Sequence, residues 1–581
     1  MIERRQIPSA PERRARLDAR YPTWMPMTLA QTLDATADAH PARPFVITDE
    51  RTYTYAEIAG WSRRLASGIV ALGIQPGEHV AVVMANYPEY VAAKFAIARA
   101  GAVCVPVNYL FRGAELGYVL RQSDAKLLIT MDSHRDLRHV DALDALAPGW
   151  ETNGGGDALP DLRNVVVFSP TSDDRDDAMT LARLEGLETA ETRAEVARRE
   201  AHGDPASYSD VLYTSGTTGS PKGVLLTHQH ILRMAYSAAY HRALDDGRRL
   251  CFPLPMYHVF GYVECMVAVL FVGGAIVPRV VFDAEDMLTA VGRHQVNEIV
   301  AVPAVTIPLL TEAKRRAYDL SSVTTVFSSG GAAPASIWAD IRGVFGQVEI
   351  TTAYGMTETT AATTCTLPEE DDERLRTTLG RRRDAGAAGD PELDGHLAVY
   401  KAVDVETGEE VPPGERGHLL VRGPVVTPGY YNKPEETEAA FTRDGWFRTG
   451  DIGSLDADGY LRLTGRLKES YRCGGEMVMP KEIESILEQH SEVFAAHVVG
   501  IKHPRMGEIG CAWVIARDAE HPPQADELIE HCTDRLARFK VPRHIIFTTA
   551  EELPVTATGR VQKFRLTELA HRRLSEQPTL V

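Results

Sequence analysis

Tyr213-Thr-Ser-Gly-Thr-Thr-Gly-Ser-Pro-Lys-Gly223 is a polar stretch between two apolar runs, Asp210-Val-Leu before it and Val224-Leu-Leu after it. Both flanks predict short strands, so the polar stretch is a loop that joins two strands. Its glycines let the backbone turn closely around a ligand, and its hydroxyls and one ammonium can donate to phosphate oxygens. We therefore expect a phosphate-binding loop whose contacts come from Thr214, Ser215, Gly216, Thr217, Thr218, Gly219 and Lys222.

The loop differs from the Walker loop of nucleotide hydrolases. A Walker loop has Gly-Lys-Ser/Thr at the start of a helix, whereas here Lys222 lies three residues after Gly219 and is followed by Gly223. The alternative is a surface turn without a ligand. The length and specificity of the signature favour phosphate binding over that alternative.

This loop resembles the phosphate loop of the adenylate-forming superfamily, which includes acyl- and aryl-CoA ligases, peptide-synthetase adenylation domains and luciferases. Such enzymes convert a carboxylic acid and ATP into an acyl-adenylate and pyrophosphate, and then pass the acyl group to a thiol, usually that of coenzyme A. The resemblance implies an α/β fold with a large N-terminal domain of parallel and mixed sheets, residues 1–465, and a small mobile C-terminal α/β domain, residues 466–581. Alternating strands and helices near the N-terminus independently predict a parallel α/β sheet.

Thr351-Thr-Ala-Tyr-Gly-Met-Thr-Glu358 is similar to the superfamily's Tyr-Gly-x-Thr-Glu motif. The resemblance implies that Tyr354 stacks on adenine, that Thr357 binds the α-phosphate and that Glu358 ligates Mg²⁺. A single carboxylate suits Mg²⁺, which keeps most of its waters and bridges nucleotide phosphates. The alternative for this segment is a helix cap in which Glu358 is an acid of the first turn.

Two further segments resemble nucleotide-binding parts of the superfamily. A Gly-rich turn after a predicted buried strand would lie along the adenine through Gly330, Gly331 and Ala332. Asp451 is the expected ribose ligand, because two carboxylate oxygens can accept hydrogen bonds from both ribose hydroxyls at once. Arg466 is expected to help hold the nucleotide.

Phe252-Pro-Leu-Pro-Met-Tyr-His-Val-Phe-Gly261 resembles the segment that gates the acid site of the superfamily, with His258 as the gate. The alternative is a packed, hydrogen-bonded core histidine. The resemblance also implies an acyl pocket of apolar residues, which favours a hydrophobic acid. The expected pocket residues are His258, Val259, Gly261, Val302, Ala304 and Ala353.

Gly465-Arg-Leu-Lys468 resembles the junction between the two domains, with Lys468 as the hinge. Beyond it, Gly474, Gly475 and Glu476 resemble the segment that lines the pantetheine tunnel after the small domain rotates between the half-reactions. Glycines in that segment leave room for the thiol arm beside the backbone. The resemblance therefore implies that these three residues bind coenzyme A.

The motif Leu553-Pro-Val-Thr-Ala-Thr-Gly-Arg-Val-Gln-Lys563 departs from the superfamily at one position. The superfamily has Pro, four residues, Gly and then a catalytic lysine, which lies between the carboxylate and the α-phosphate during adenylation. Here that position is Arg560. A lysine ammonium is a compact point donor, whereas a guanidinium is a broad planar fork. Lys563 lies about one helical turn further on, and we do not expect it to replace the missing lysine.

The positions that the resemblance makes catalytic are His258, Thr357, Glu358, Lys468, Gly475 and Arg560. Three functions follow as alternatives. The first is a ligase with impaired or lost adenylation, which takes an acyl-adenylate from a separate adenylating enzyme and delivers the acyl group to coenzyme A. The second is a conventional two-step ATP-dependent acid–CoA ligase, and the third is a nucleotide- or acid-binding protein without catalysis. The implied ligands are coenzyme A, the AMP moiety of the acyl-adenylate (ATP if adenylation is retained) and Mg²⁺.

The composition fits a protein of two domains. A chain of 581 residues is too long for one core, and its net charge of −18 argues against a nucleic-acid partner. Seven scattered cysteines without a Cys-x-x-Cys pattern predict reduced, mostly buried thiols. The longest apolar run, Met266 to Val277, is too short to span a membrane and predicts buried core. With no signal sequence at Met1, the predicted location is cytoplasmic.

Two polar regions are expected at the periphery. Residues 149–205 are rich in Asp, Glu, Gly and Arg and predict surface structure with loops. Residues 369–390, which include Gly380-Arg-Arg-Arg-Asp, carry runs of charge where the superfamily has a Gly-x-x-Gly-x-Pro turn. We expect this second region to form a solvated face.

Overall fold

The structure is a computed structural model that describes residues 7–170, 178–214, 221–330, 336–474, 476–556 and 561–576. Within these ranges, the chain up to residue 466 contains two large sheets of seven strands each, together with smaller sheets. The chain after residue 470 forms a separate mixed sheet of five strands. The predicted α/β architecture, with a large N-terminal and a small C-terminal part, is therefore confirmed.

The first large sheet has strands that are buried and mostly parallel, as expected for a sheet with helices on both faces. Its strands, in spatial order, are Glu349–Thr351, Thr325–Ser328, Glu298–Ala301, Arg249–Phe252, Ala275–Pro278, Pro44–Ile47 and Thr52–Thr54. The apolar run from Met266 is buried beside this sheet in the short helical segments Tyr262–Val267 and Ala268–Val272, which confirms it as core.

The second large sheet contains the predicted strand pair around the phosphate loop at one edge. Its strands, in spatial order, are Lys222–Thr227, Tyr208–Thr214, Val103–Pro106, His79–Val83, Leu127–Met131, Asn164–Phe168 and Met179–Thr180. The expectation that residues 149–205 are peripheral was wrong in part. Asn164–Phe168 is an internal strand with a buried centre, and Trp150 is fully buried, because three consecutive valines within the polar region supply a strand core.

Helices cover both large sheets. The longer ones are Ala10–Arg20, Leu29–Ala39, Tyr55–Ala71, Pro88–Arg99, Gly113–Gln122, His139–Leu146, Ala190–Ala201, His228–His241, Ala284–Arg293, Pro303–Arg315 and Ile337–Phe345. Thr227 caps the helix after the phosphate loop by accepting the N–H of His230 at 3.2 Å, as the sequence predicts. No helix among the residues that the structure covers is long and apolar enough to cross a membrane.

Besides a two-stranded hairpin of Ser133–His134 and Leu137–Arg138, the remaining described strands of the large part form two smaller sheets. One has the strands Ala353–Gly355, Ala362–Cys365 and Arg381–Arg382, and the other has Val399–Val403, Gly417–Arg422, Phe447–Leu455 and Leu461–Arg466. Here the prediction of a solvated charged face was wrong for Arg383. Its guanidinium is buried and donates to both carboxylate oxygens of Glu264, at 2.8 and 3.0 Å, so this charge is paired inside the protein.

The small C-terminal part packs three helices on its sheet. The strands are Glu476–Val478, Tyr471–Cys473, Gly507–Ala516 and Val493–His503 in spatial order, with His544–Phe547 parallel to Gly507–Ala516. The helices are Pro480–Leu487, Ala525–Thr533 and Lys563–Glu576. All seven cysteines of the chain are unpaired and buried, as predicted.

Candidate active site

Three residues predicted for the acyl pocket and one predicted beside the adenine follow four neighbouring parallel strands of the first sheet. In spatial order these strands are Arg249–Phe252, Glu298–Ala301, Thr325–Ser328 and Glu349–Thr351. The candidate residues that follow them are, in the same order, His258, Val302, Gly330 and Ala353. Because the carboxyl ends of parallel strands meet at one edge of a sheet, these segments come together there.

An apolar wall lies at this edge. Gly330 has φ +88°, and a Cβ atom at this position would lie 3.3 Å from Val302 Cγ1 and 3.4 Å from Phe260 Cε1. The Phe260 ring packs edge-on against Phe327 with ring centroids 5.2 Å apart. We call Phe260, Val302 and Gly330 the apolar wall. Val259 and Gly261 are buried on either side of Phe260 in sequence, whereas Ala304 is exposed.

His258 makes a local hydrogen bond at the start of the short helix Val259–Gly261. Its Nδ1 accepts the backbone N–H of Phe260 at 3.2 Å. Burial lowers the pKa of His258 to about 4, so the imidazole is neutral at physiological pH. The histidine is thus a hydrogen-bonded cap, and its role as a gate stays a prediction.

The strands on either side of the phosphate loop pair as an antiparallel ladder, with Thr214 opposite Lys222. Ser215, Gly216, Thr217, Thr218 and Gly219 lie outside the described residues. The same is true of Gly331 and Ala332, which were predicted beside the adenine.

Lys222, Tyr430 and Glu358 form a contiguous group next to the phosphate loop. The Tyr430 hydroxyl donates to Glu358 Oε1 at 3.0 Å, and Lys222 Nζ lies 4.7 Å from the centroid of the Tyr430 ring. Burial raises the pKa of Glu358, and the Tyr430 hydrogen bond and the charges of Arg466 and Lys222 counteract that rise. Thr357 is buried in the same turn, Thr357–Thr359.

A second group centres on Asp451. Its carboxylate is buried, accepts a hydrogen bond from the Tyr354 hydroxyl at 2.6 Å on Oδ2, and lies 3.0 Å from Arg466 Nε through Oδ1. Asp451 and Arg466 are also direct partners on neighbouring antiparallel strands, so the sheet register sets this ion pair. Three residues predicted separately from sequence therefore meet at one carboxylate.

The two groups and the apolar wall are connected through Ala353-Tyr354. Ser329, which precedes Gly330, accepts the N–H of Ala353 at 3.1 Å and donates to its carbonyl at 2.5 Å. Tyr354 then reaches Asp451. An apolar wall and a set of charged groups thus flank the same short segment, which is the arrangement needed to hold an acyl group beside a nucleotide.

Lys468 lies on the turn Leu467–Glu469 between the large and small parts. Burial is the main cause that lowers the pKa of Lys468, and repulsion from Lys222 and Arg466 adds to it. Lys222, Arg466 and Lys468 therefore lie close enough to repel one another. A group of this kind favours an anionic ligand, because bound negative charge would relieve their mutual repulsion.

The segment predicted to bind coenzyme A is a tight hairpin in the small part. Cys473 pairs with Glu476 across it, and Gly474 has φ +64° with its N–H donating to Met506 O at 2.8 Å. A left-handed backbone at this position requires glycine or a strained residue. Gly475 lies outside the described residues.

Arg560 also lies outside the described residues, but Lys563 does not. Lys563 Nζ lies 2.5 Å from Glu484 Oε1 and 3.6 Å from Glu469 Oε2. The Glu484 carboxylate is buried and also accepts the backbone N–H of Val498 at 2.9 Å. The ammonium of Lys563 is therefore engaged within the small part, as expected if it is not the catalytic lysine.

The donor groups fit the expected ligands. Glu358 offers one hard carboxylate with one oxygen held by Tyr430, which suits Mg²⁺ because this ion takes its other ligands from water and phosphates. No cluster of three or more His, Cys, Asp and Glu side chains that could hold a metal by itself occurs in the described ranges. Asp451, paired with Arg466, is a double acceptor suited to a ribose.

Tyr430 is the site residue that sequence analysis missed. It lies in the segment Gly429-Tyr-Tyr-Asn432. No charge or glycine pattern in this segment indicates a catalytic or binding role. Its contact with Glu358 joins positions 72 residues apart and is visible only in the fold.

Comparison with known proteins places the chain in a family. The profile of the AMP-binding enzyme family matches residues 33–431, and that of the AMP-binding enzyme C-terminal domain matches residues 482–560. Among curated relatives, the candidate acyl-CoA synthetase YngI of Bacillus subtilis (strain 168) is 36% identical over 93% of this chain and 96% of that protein. The 3-[(3aS,4S,7aS)-7a-methyl-1,5-dioxo-octahydro-1H-inden-4-yl]propanoyl:CoA ligase of Mycobacterium tuberculosis is 33% identical over 93% of this chain and 99% of that protein.

Among solved structures, ATP-bound MatB from Rhodopseudomonas palustris superposes with a TM-score of 0.79 at 26% identity, covering 94% of this chain and 99% of that chain. Family profiles and relatives of this extent cover both the large and the small part. The chain belongs to the AMP-binding enzyme family, the superfamily of acyl-CoA synthetases and ligases.

Proposed function

We propose that this protein is an acyl-CoA ligase that forms a thioester from an acyl-adenylate and coenzyme A, with an adenylation half-reaction that is impaired or lost. The observation that carries the ligase proposal is that Ala353-Tyr354 joins the apolar wall to the Asp451 carboxylate. An acyl group and an adenosine placed on these two surfaces would share a phosphate between them. The names of the relatives, which are CoA ligases or synthetases, support coenzyme A as the acceptor.

In this proposal each group of residues holds one part of the substrate. The phosphate loop from Thr214 to Gly219, with Lys222 and Thr357, binds phosphate oxygens. Gly330, Gly331, Ala332 and Tyr354 hold the adenine, with Gly330 at the border between the adenine and the apolar wall, while Asp451 with Arg466 holds the ribose. The apolar wall supports a hydrophobic acyl group, with His258 at its entrance. Glu358 would ligate Mg²⁺, which supplies charge neutralisation at the phosphates.

The two parts of the chain are proposed as domains that meet at residue 465 or 466, with Lys468 as the hinge. Ion pairs cross this boundary in the present orientation, between Arg416 and Glu482 and, at 3.9 Å, between Arg472 and Glu406. The Arg416 side chain and both members of the Arg472–Glu406 pair are solvent-accessible, and such pairs contribute little to stability. Such weak contacts suit a boundary that opens so that Gly474, Gly475 and Glu476 can approach the acyl group.

The finer part of the proposal, impaired or lost adenylation, rests on Arg560. Position 560 follows Gly559 where the superfamily pattern has its lysine. A guanidinium keeps the charge but cannot fit between two oxyanions as an ammonium does. Loss of one transition-state contact of this kind costs roughly 10²–10³-fold in rate. Attack of the thiol on the acyl-adenylate uses the other face of the small domain and would not involve this residue.

A conventional two-step ligase is the second candidate, and one observation favours it. Lys222, Tyr430 and Glu358 are packed together beside the phosphate loop. A lysine and a metal carboxylate at this place serve the β- and γ-phosphates and Mg²⁺, which only ATP brings. A protein that receives a ready-made adenylate would have little use for them.

Two assays on the purified protein separate the candidates. One supplies acid, ATP and Mg²⁺ and measures exchange of labelled pyrophosphate into ATP. The other supplies a synthetic acyl-adenylate with coenzyme A and measures thioester. Thioester with exchange at least 100-fold slower supports the proposal, and comparable rates establish the two-step ligase instead. Failure of both assays with retained nucleotide binding would identify a binding protein without catalysis.

A further inference from the structure

Tyr430 contacts both charged side chains that the proposed function assigns to the phosphates and the metal, yet that function gives Tyr430 no role. Its hydroxyl donates to Glu358 Oε1 at 3.0 Å, and the Lys222 ammonium lies over its ring at 4.7 Å from the centroid. We propose that Tyr430 is a positioning residue that fixes the Glu358 carboxylate and the Lys222 ammonium relative to each other, so that one metal–nucleotide complex meets both. This inference rests on the proposed function, because it requires a metal ion at Glu358.

The geometry of the hydroxyl determines which carboxylate oxygen is available. With Oε1 bound by the O–H of Tyr430, the carboxylate cannot rotate freely, and Oε2 is the oxygen left to face a cation. A hydrogen bond to an ionised acceptor is stronger than one between neutral groups, so it can hold the rotamer. Outer hydrogen bonds of this kind orient metal ligands in many proteins.

The ring of Tyr430 acts on the second partner. The face of an aromatic ring carries negative potential and attracts an ammonium within about 6 Å of its centroid. Lys222 lies at the end of the loop, just before Gly223. Without an aromatic ring beside its ammonium, its long side chain would sample many rotamers. Tyr430 is 8% exposed, which leaves the interaction poorly screened by water.

Tyr430 itself is held on both sides. Its backbone N–H donates to Thr437 Oγ1 at 2.9 Å, and its backbone bridges to Val224 on the strand that begins at Lys222. Nearby, the N–H of Thr427 donates to the carbonyl of Glu358 at 2.8 Å. The segment that carries Tyr430 is therefore attached both to the strand of Lys222 and to the turn of Glu358, so the position of its hydroxyl is set by the fold.

Tyr430→Phe removes only the hydroxyl and tests the inference. The neighbour Tyr431 supplies a matched control, because its hydroxyl donates to Asp124 Oδ2 at 2.8 Å, away from the candidate site. The measurement is the affinity of the full-length protein for Mn²⁺ in the presence of ATP, followed through the electron paramagnetic resonance signal of free Mn²⁺. We expect roughly 10-fold weaker Mn²⁺ binding for Tyr430→Phe, the lower end for loss of an outer hydrogen bond, and unchanged binding for Tyr431→Phe.

A second readout separates positioning from general damage. The affinity for AMP without metal should be the same in Tyr430→Phe and in the parent protein. Equal Mn²⁺ affinity in Tyr430→Phe and the parent would overturn the inference and leave the proposed function standing. A parallel loss of AMP and Mn²⁺ affinity would also overturn it, since the residue would then be structural. Failure of the parent protein to bind Mn²⁺ with ATP would overturn both the inference and the metal role of Glu358.

Discussion

The ammonium of Lys563 lies 2.5 Å from a carboxylate oxygen of Glu484, whose side chain is 4% exposed. This contact joins the start of the last helix to the helix Pro480–Leu487. A lysine held in this way must break a buried ion pair to reach a substrate, and breaking such a pair by removing one partner costs about 3–5 kcal/mol. Lys563 is thus a structural residue of the small domain, and the question of adenylation returns to Arg560.

Lys563→Met should destabilise the small domain by about 3 kcal/mol, the lower end for a buried pair because the lysine side chain is 16% exposed. The methionine leaves the Glu484 carboxylate buried without its nearest cation. Hydrogen exchange of amides in the central strand Gly507–Ala516 measures the free energy of opening in this domain. Lys481→Met is the matched control, because Lys481 lies 3.8 Å from the same carboxylate and is 30% exposed; its effect should stay below about 1 kcal/mol.

The destabilisation by Lys563→Met should also depend on pH. Burial is the largest influence on Glu484 and raises its pKa, but Lys563 and Lys481 outweigh it and bring the pKa below its ordinary value. A lowered carboxylate pKa stabilises the folded state above the unfolded pKa, about 4.3, and this contribution is lost as the pH falls from that value through the lower folded pKa. The difference between the variant and the parent protein should therefore be constant from pH 8 to 6 and shrink towards pH 4. A difference that grows on acidification would contradict the assignment of the pair.

Arg560→Lys tests the finer part of the proposed function. If the shape of the guanidinium limits adenylation, the variant should raise pyrophosphate exchange by roughly 10²-fold and leave thioester formation from a synthetic adenylate unchanged. Arg565→Lys, two residues into the last helix after Lys563, is the control and should change neither rate. Exchange that is equally fast in Arg560→Lys and the parent protein would show that arginine is tolerated at this position.

Lys222→Met should slow pyrophosphate exchange more than thioester formation, whereas Arg560→Lys is expected to speed exchange alone. The Lys222 ammonium lies beside the candidate phosphate region, where it would meet the β- and γ-phosphates of ATP. Exchange should fall by roughly 10²-fold on loss of this charge, whereas thioester formation from an adenylate, which has a single phosphate, should fall by less than about 5-fold. Equal losses in both assays would place Lys222 at the α-phosphate or in a structural role.

The sequence predicted most of the fold because its strong signals are local. Thr227 stands at a helix start as expected, the strand pair around the phosphate loop is present, and the alternating strands form a parallel sheet. The prediction was wrong for Arg383, whose charge predicted exposure. Its partner Glu264 lies 119 residues earlier, and no local pattern indicates that two charges will be buried together.

The candidate site shows the same difference between local motifs, which the sequence predicted, and long-range contacts, which it did not. Motif resemblance selected Tyr354, Asp451 and Arg466 one at a time, and the structure brings them to a single carboxylate. It did not select Tyr430 as the partner of Glu358. Tyr430 acts through a hydrogen bond to a distant segment, and an aromatic residue in a motif is equally expected in a core.

Arg416→Met tests whether the boundary between the proposed domains governs turnover. Arg416 forms an ion pair with Glu482, which also binds Lys540 at 2.6 Å, so one carboxylate links the large part to the small part. Because Arg416 is 57% exposed, its loss should change stability by less than about 1 kcal/mol. The contact exists in the orientation described here and would be lost on rotation about Lys468, so its removal shifts the balance towards the other orientation. We therefore expect the two half-reaction rates to change in opposite directions, each by about 2- to 5-fold, since an exposed pair is worth about 0.5–1 kcal/mol.

Raising the salt concentration should produce the same shift in the parent protein and little further change in the variant. Arg462→Met is the control, because Arg462 is exposed on the strand Leu461–Arg466 in the sheet that also contains Gly417–Arg422; this variant should behave as the parent protein does. A parallel fall of both rates in Arg416→Met would rule out control by domain orientation.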